Sequence, residues 1–89
     1  MSKHRRAAKV DANQAAIVKA LRQIPGVTVQ TGHDDIICGY QNRTFLFEIK
    51  ASEKSPVTKS QKKMLAEWTG HYQIVWNIDQ ILETIGVTK

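Results

Sequence analysis

Two acidic residues and one lysine stand where a β-hairpin would bring them together. Asp35 opens one segment rich in β-branched and aromatic residues, 35–40, and Glu48 and Lys50 lie near the end of the next, 43–50. If these segments pair as antiparallel strands joined by a two-residue turn, Asp35 faces Glu48 directly, with Cβ atoms about 4.5–5.5 Å apart. Lys50 projects to the same face because strand side chains alternate with a period of two. The sequence therefore predicts that an aspartate, a glutamate and a lysine converge at one point.

Two opposed carboxylates repel each other unless a cation or a shared proton relieves the repulsion. Together with a backbone carbonyl such as that of Ile49, they form a set of hard oxygen ligands suited to Mg²⁺, which keeps several waters and accepts phosphate oxygens. A bound metal lowers the pKa of its water, and a neighbouring lysine such as Lys50 can orient or deprotonate that water. The metal also offsets negative charge on the reacting phosphate. These residue types in this arrangement indicate hydrolysis of a phosphodiester bond.

The elements that must position these residues follow from apolar periodicity and from turn and cap residues. Pro25-Gly26 ends a first helix, and Gln41-Asn42 joins two strands because Asn tolerates the left-handed region. In chain order the patterns predict a helix over 12–23, strands over 27–29, 35–40 and 43–50, a helix from Thr58 that stops at Gly70, a strand over 72–76, and a short helix from Asn77 to Gly86. Both faces of the hairpin carry apolar side chains, so the sheet needs helices on both sides. The predicted fold class is α/β, with a mixed sheet flanked by helices.

Cap residues and core residues are predicted from the same patterns. Asp11 is a good N-cap for the first helix, with Gln14 as its capping-box partner, and Thr58 and Gln61 form the same pair for the second. The residues predicted to be buried are Cys38 on the hairpin, a stripe of Met64, Leu65 and Trp68 on the second helix, and Trp76. The spacing of both tryptophans fits a core better than a base-stacking platform.

Composition limits the architecture to one small domain. The chain has 89 residues, of which 42% are hydrophobic and 24% charged, which is an ordinary globular composition. A core of this size favours a partner subunit. The single cysteine cannot form an internal disulfide, and no signal segment is evident at the start, so a cytoplasmic location is expected. No apolar run is long enough to span a membrane.

Positive charge is concentrated in two short stretches. The net charge is +5, and nine of the thirteen Lys and Arg residues are Lys3, Arg5, Arg6, Lys9, Lys50, Lys54, Lys59, Lys62 and Lys63. Residues 1–10 lack apolar periodicity and are predicted to form a flexible basic arm before a single domain over 11–89. Clusters of this kind are typical of proteins that bind a phosphate backbone. The alternative is a solubilising tail and a solvated helix face.

The acidic pair and the lysine lie in a recognisable motif. Asp35, followed thirteen positions later by Glu48-Ile49-Lys50 on the second and third strands of this element order, resembles the PD-(D/E)XK nuclease superfamily, and more narrowly the short single-domain VRR nucleases of phages and bacteria. The resemblance covers most of the chain and implies a restriction-endonuclease-like αβββαβ(α) core. It implies that Asp35 and Glu48 bind a divalent metal, that Lys50 serves the attacking water, and that Gln61 on the following helix lies beside the site.

The chain departs from the family pattern at two positions. Asp34 replaces the proline that usually precedes the motif aspartate, so Asp34 and Asp35 are both candidate ligands, of which Asp35 fits the strand pairing better. Gln14 stands where the family has a glutamate on the first helix, and its other interpretation is a cap. Gln61 is likewise either a site residue or only a capping-box partner. His33 is either a contact to metal or phosphate or a plain turn residue.

The resemblance implies an endonuclease that depends on Mg²⁺ or Mn²⁺ and acts as a homodimer on DNA, branched or four-way (Holliday) junctions above all, in a bacterial or phage-infected cell. No small-molecule cofactor and no membrane partner is expected. The lysines near Gln61, namely Lys59, Lys62 and Lys63, would contact phosphates of the backbone. The alternatives are a non-catalytic nucleic-acid-binding module with a degenerate site, and a nuclease that acts on flaps or linear duplex. A measurement of metal binding distinguishes the nuclease from the first alternative. A map of the cleavage sites on linear and branched DNA distinguishes it from the second.

Overall fold

The computed structural model describes residues 2–32 and 35–87, with side chains from residue 9 onward. Within them lie helix α1 (Ser2–Arg22), strands β1 (Thr28–Thr31), β2 (Asp35–Tyr40) and β3 (Arg43–Ile49), helix α2 (Lys59–Glu67), strand β4 (Gln73–Val75) and helix α3 (Ile78–Ile85). The order of elements is the predicted one, and the predicted α/β class with a mixed sheet is confirmed. No helix in the described ranges has the length and apolar character needed to cross a bilayer.

The sheet has the order β1-β2-β3-β4, in which the first three strands are antiparallel neighbours and β4 runs parallel to β3. In the β2–β3 hairpin, Tyr40 pairs with Arg43 and Asp35 pairs with Glu48. The register predicted from the turn length is therefore confirmed. The register matters because a slip of one residue would move every side chain of one strand to the opposite face of the sheet.

The hairpin turn is the two-residue type that matches the twist of its strands. Gln41 has φ 52° and Asn42 has φ 67°, so both residues occupy the left-handed region. Asn tolerates this region, whereas Gln has no short polar group to offset its cost. The double substitution Gln41→Asn with Asn42→Gly is expected to raise the free energy of unfolding by about 1 kcal/mol, because it supplies the residue types that this turn favours. Urea denaturation measures the change. Asn42→Val places a β-branched residue in the left-handed region and should lower the midpoint of urea unfolding.

The core lies on one face of the sheet, beneath α1 and α3. Strand residues on that face include the fully buried Ile36, Cys38, Phe47 and Ile49. Both helices turn apolar residues toward them: α1 contributes Ile17, Val18 and Leu21, and α3 contributes Ile81, Leu82 and Ile85. The prediction that Cys38 is buried is confirmed. The opposite face carries Asp35, Ile37, Leu46 and Glu48, because each of them pairs with another member of that set.

The first helix begins ten residues before the predicted start. The helix runs from Ser2, so the N-cap predicted at Asp11 is wrong and residues 2–10 belong to α1. The flexibility predicted for the basic arm over residues 1–10 stays a prediction. The sequence from Ser2 to Arg22 has neither Pro nor Gly, and Ala, Lys and Arg are strong helix formers. An exposed Asp is tolerated inside such a helix. Asp11, although a good cap residue, therefore did not mark the start of the helix.

The second helix does not bury the predicted stripe. None of the nine residues of α2, all of them described, is buried. Leu65 and Trp68 are each 53% exposed, and Met64 is half-buried. The sheet face beneath α2 carries two carboxylates, so a short helix gains little by packing closely against it. The amphipathic pattern identified the face of the helix but not how far that face would be covered.

Candidate metal and active site

Asp35 and Glu48 line one cavity on the sheet face beneath α2. The cavity has a volume of about 370 Å³, and its other lining residues are Leu46, Ser60, Gln61, Met64 and Tyr72. Glu48 is only 9% exposed, whereas Asp35 is half-buried. Because the two residues are direct partners across β2 and β3, their carboxyl groups share this space. We call these two residues the carboxylate pair.

Buried neighbours fix the position of Glu48 on its strand. Phe47 and Ile49 are both fully buried on the opposite face, so β3 cannot rotate without exposing them. The ring of Phe47 lies 4.9 Å from that of His71, centroid to centroid. The alternation of the strand then leaves Glu48 pointing into the cavity. The sequence thus places a charged residue here by anchoring the apolar residues on either side of it.

The first turn of α2 covers the cavity, and a capping box holds that turn in place. The Thr58 hydroxyl accepts the Gln61 backbone N–H at 3.2 Å, and Gln61 Oε1 accepts the Thr58 N–H at 3.0 Å. Gln61 is therefore a cap partner and a lining residue of the cavity at once. The two interpretations of Gln61 do not exclude each other. With its oxygen bonded to the cap, its amide nitrogen remains as a hydrogen-bond donor for a ligand.

Tyr72 is a site residue that the sequence reasoning missed. Its hydroxyl donates to Glu48 Oε1 at 3.4 Å. Burial, and next the negative charge of Glu48, raise the pKa of Tyr72 to about 12. The phenol therefore stays protonated and remains a donor to the carboxylate. Tyr72 directly precedes β4, so the sequence could have indicated its contact with Glu48 only if the register of β4 against β3 had been known.

The raised pKa of Tyr72 predicts how stability falls at high pH. The group titrates at 10.0 when unperturbed and at about 12 here, so its contribution is complete below pH 10 and is lost as the pH rises toward 12. Absorbance of tyrosinate should show a late step near pH 12 that belongs to Tyr72. Tyr72→Phe should remove that late step and make the loss of stability above pH 10 shallower. Tyr40→Phe is the matched control and should retain the late step.

Lys50 continues the face of Glu48 just beyond the end of β3. Its backbone N–H donates to the Val75 carbonyl at 2.8 Å, which extends the ladder by one residue. Strand alternation places its side chain on the side of Glu48, but this side chain does not line the cavity. The Ile49 side chain is fully buried in the core, so the ligand role predicted for this residue rests on its backbone carbonyl alone and stays a prediction.

Two polar side chains outside the cavity hold the strand that carries Glu48. Asn13 Nδ2 donates to the carbonyl of Lys50 at 2.6 Å and to that of Trp76 at 3.2 Å, which ties α1 to the ends of β3 and β4. His71 Nδ1 accepts the Leu46 backbone N–H at 3.1 Å. The only sign of this role in the sequence was that Asn13, a poor helix former, lies inside a predicted helix.

Gln14 lies in a different place from the carboxylate pair. It is 9% exposed and lines a second cavity, of about 660 Å³, with other α1 residues and Thr31. Because Asp11 lies within the helix, the capping role predicted for Gln14 is wrong. Gln14 does not line the carboxylate cavity either. His33 and Asp34 lie outside the described residues, so the choice between Asp34 and Asp35 as the principal ligand stays open.

The basic residues form no wall of the carboxylate cavity among the side chains described. Lys9, Lys54, Lys59, Lys62 and Lys63 are exposed. At 100° per residue, the lysines of α2 lie on the side opposite Gln61 and Met64, which line the cavity. Their proximity to Gln61 in sequence is thus not proximity on the helix surface. The side chains of Lys3, Arg5 and Arg6 lie outside the described part of the chain.

The donor set of the carboxylate pair fits a hard divalent cation. In the described residues no three His, Cys, Asp or Glu side chains are grouped to hold a metal ion, and the pair supplies two carboxylates. Mg²⁺ is commonly held by one or two carboxylates, with waters and phosphate oxygens as its remaining ligands. The shared cavity leaves room for such ligands.

No match to this chain is found among protein-family models, curated proteins or solved structures. The function of the protein must therefore be inferred from the chemistry of the carboxylate pair and of the surface around it.

Proposed function

We propose that this protein is a divalent-metal-dependent nuclease that hydrolyses phosphodiester bonds in DNA. The observation that carries the proposal is the direct pairing of Asp35 with Glu48 in one cavity, covered by the first turn of α2. Two carboxylates so close together repel each other, and a bound cation relieves that repulsion. The same cation would stabilise the negative charge that develops on a phosphodiester during hydrolysis.

The proposal gives a task to six residues in or next to the cavity. Asp35, Glu48 and the carbonyl of Ile49 would hold Mg²⁺ or Mn²⁺, and Tyr72 fixes the orientation of Glu48 through its hydrogen bond. A metal held there would supply positive charge for the phosphate and would lower the pKa of a water. Lys50 would orient the attacking water or accept its proton, and the Gln61 amide would donate to a ligand oxygen.

The arrangement of elements supports a restriction-endonuclease-like core. Three antiparallel strands followed by a helix and a parallel fourth strand, with the acidic residues on the second and third strands, match the order that the motif resemblance implies. The basic clusters supply the charge for a DNA backbone. The proposal extends to a cytoplasmic homodimer acting on branched or four-way DNA, for which the resemblance is the support.

The test is cleavage of labelled four-way junction, flap, linear duplex and single strand in Mg²⁺, Mn²⁺ or EDTA. Cutting that requires metal is expected, and Lys50→Ala should lower its rate about 10²–10⁴-fold because a positioned acid–base group contributes that much. Lys19→Ala removes an exposed lysine of α1 that lies outside both basic clusters and is the matched control, expected to keep its rate within about twofold of wild type. Cutting in EDTA, or equal rates for the two variants, would contradict the proposal.

One observation favours a second candidate, a nucleic-acid-binding module without catalysis. Gln14 supplies no carboxylate and lines the other cavity, so the described part of the site has two acidic ligands. Such a module would bind the same DNA tightly in the panel above but cut none of it with either metal.

A further inference from the structure

The backbone of Lys50 is fixed on both sides at the point where β3 ends. Its N–H donates to the Val75 carbonyl at 2.8 Å, and its carbonyl accepts from Asn13 Nδ2 at 2.6 Å. The same nitrogen donates to the Trp76 carbonyl at 3.2 Å, so one side-chain amide of α1 joins the ends of two parallel strands. We call these two hydrogen bonds of Asn13 the strand-end clamp.

The strand-end clamp replaces a hydrogen bond that the sheet cannot make. In a parallel ladder, the bond that follows Lys50 N–H to Val75 would run from the Asn77 N–H to the Lys50 carbonyl. Asn77 is the N-cap of α3, however, and its N–H donates to Gln80 Oε1 at 3.0 Å. The start of α3 therefore removes the donor that would hold the Lys50 carbonyl, and Asn13 supplies another donor from α1.

Two groups that the proposed function uses depend on the backbone of this one residue. The peptide bond between residues 49 and 50 is planar and trans, so its N–H and its carbonyl point in opposite directions. The Lys50 N–H points to β4, so the Ile49 carbonyl points toward β2, the strand that carries Asp35. Strand alternation directs the Lys50 side chain to the face of Glu48. A rotation of the Lys50 backbone would therefore move the carbonyl and the amine together.

We propose that Asn13 is a positioning residue, which holds the Ile49 carbonyl and the Lys50 amine in the orientation that metal binding and cleavage need. This inference rests on the proposed function for the roles of Ile49 and Lys50, and it assigns no ligand bond to Asn13 itself. Removing a group that orients metal ligands commonly lowers metal affinity or activity by about 10–100-fold. Loss of the strand-end clamp should therefore give a protein that folds but has a weaker metal site and a slower reaction.

The experiment compares Asn13→Ala with Arg43→Ala. Alanine is the strongest helix former, so α1 should persist in Asn13→Ala while both bonds of the clamp are lost. Arg43→Ala also loses a 2.6 Å bond to a backbone carbonyl, that of Ile85, but at the turn end of the hairpin, away from the carboxylate pair. This control therefore separates a loss of stability from a loss of positioning.

The concentration of free Mn²⁺, measured by electron paramagnetic resonance without DNA, gives the dissociation constant of the metal. This constant should rise about 10- to 100-fold in Asn13→Ala and stay within about twofold of wild type in Arg43→Ala. In cleavage of the four-way junction at saturating Mg²⁺, Asn13→Ala should lower kcat by about the same factor and leave KM for the DNA within about twofold. A residue with only a structural role would change neither the metal affinity nor the kcat of the folded protein.

A further measurement uses the wild type alone. Mg²⁺ added to isotope-labelled protein should shift the NMR signals of the Ile49 carbonyl carbon, the Lys50 amide nitrogen and the Asn13 side-chain nitrogen together, because the Lys50 backbone connects them. A shift at Ile49 without one at Asn13 would overturn the inference, as would equal Mn²⁺ dissociation constants in wild type and Asn13→Ala. A wild type that binds no Mn²⁺ would instead overturn the nuclease proposal, and this inference with it, so the two failures are distinguishable.

Discussion

Glu48→Gln is expected to lower metal-dependent cleavage by at least about a thousandfold while leaving the protein folded. Glu48 is the more buried member of the carboxylate pair and its Oε1 accepts from Tyr72. Gln has the same shape and can still accept that hydrogen bond, but it lacks the charge that holds a hard cation. A metal supplies several kcal/mol of transition-state stabilisation, and about 1.4 kcal/mol corresponds to a tenfold change in rate. Single-turnover cleavage with saturating enzyme measures the effect.

Glu53→Gln is the matched control, because it makes the same substitution at an exposed glutamate in the loop after β3. Its cleavage rate should stay within about twofold of the wild-type rate. If Glu48→Gln cut DNA as fast as this control, the carboxylate pair would not be the metal site.

Phe47→Ala is expected to lower the free energy of unfolding by about 3–5 kcal/mol, the range for removing a buried phenyl ring. Phe47 is fully buried, and its ring lies 6.2 Å from that of Phe45 and 4.9 Å from that of His71, centroid to centroid. For a small domain this is a large part of the total stability. Because Phe47 anchors the strand that carries Glu48, cleavage should fall with the folded fraction. Urea denaturation followed by circular dichroism measures the change.

Ile37→Ala is the control for Phe47→Ala, since Ile37 lies on the opposite sheet face and is 46% exposed. Its free energy of unfolding should fall by less than about 1.5 kcal/mol. Equal losses in the two variants would contradict the placement of the core beneath α1 and α3.

The hairpin was predictable because the length of its turn sets the register of its strands. A two-residue turn at Gln41-Asn42 pairs Tyr40 with Arg43, so the pairing of Asp35 with Glu48 followed from local sequence alone. The cap of α2 followed in the same way, since Thr58 and Gln61 are three residues apart. Features that depend on neighbours in the chain were thus accessible from the sequence.

Features that depend on distant packing were not accessible. Tyr72 reaches Glu48 only through the parallel pairing of β4 with β3, which no turn specifies. Asn13 bonds to carbonyls 37 and 63 residues away, and no periodicity marks such contacts. The burial predicted for Trp68 failed because an apolar helical face indicates an orientation and not a partner. These residues hold or surround the site, so the sequence located its acidic centre better than its surroundings.

Binding of Mn²⁺ to the metal-free protein tests the central claim most directly, with thermal unfolding of wild type and Asp35→Asn as the readout. At a hundred times its dissociation constant, Mn²⁺ should stabilise the wild type by about 2.7 kcal/mol, a rise in Tm of about 10–20 °C for a chain of this size. Asp35→Asn should lose that gain, yet be more stable without metal by about 0.2–1 kcal/mol, because the opposed charges are gone. An equal rise in Tm for both proteins, or none for the wild type, would contradict a metal site at the carboxylate pair.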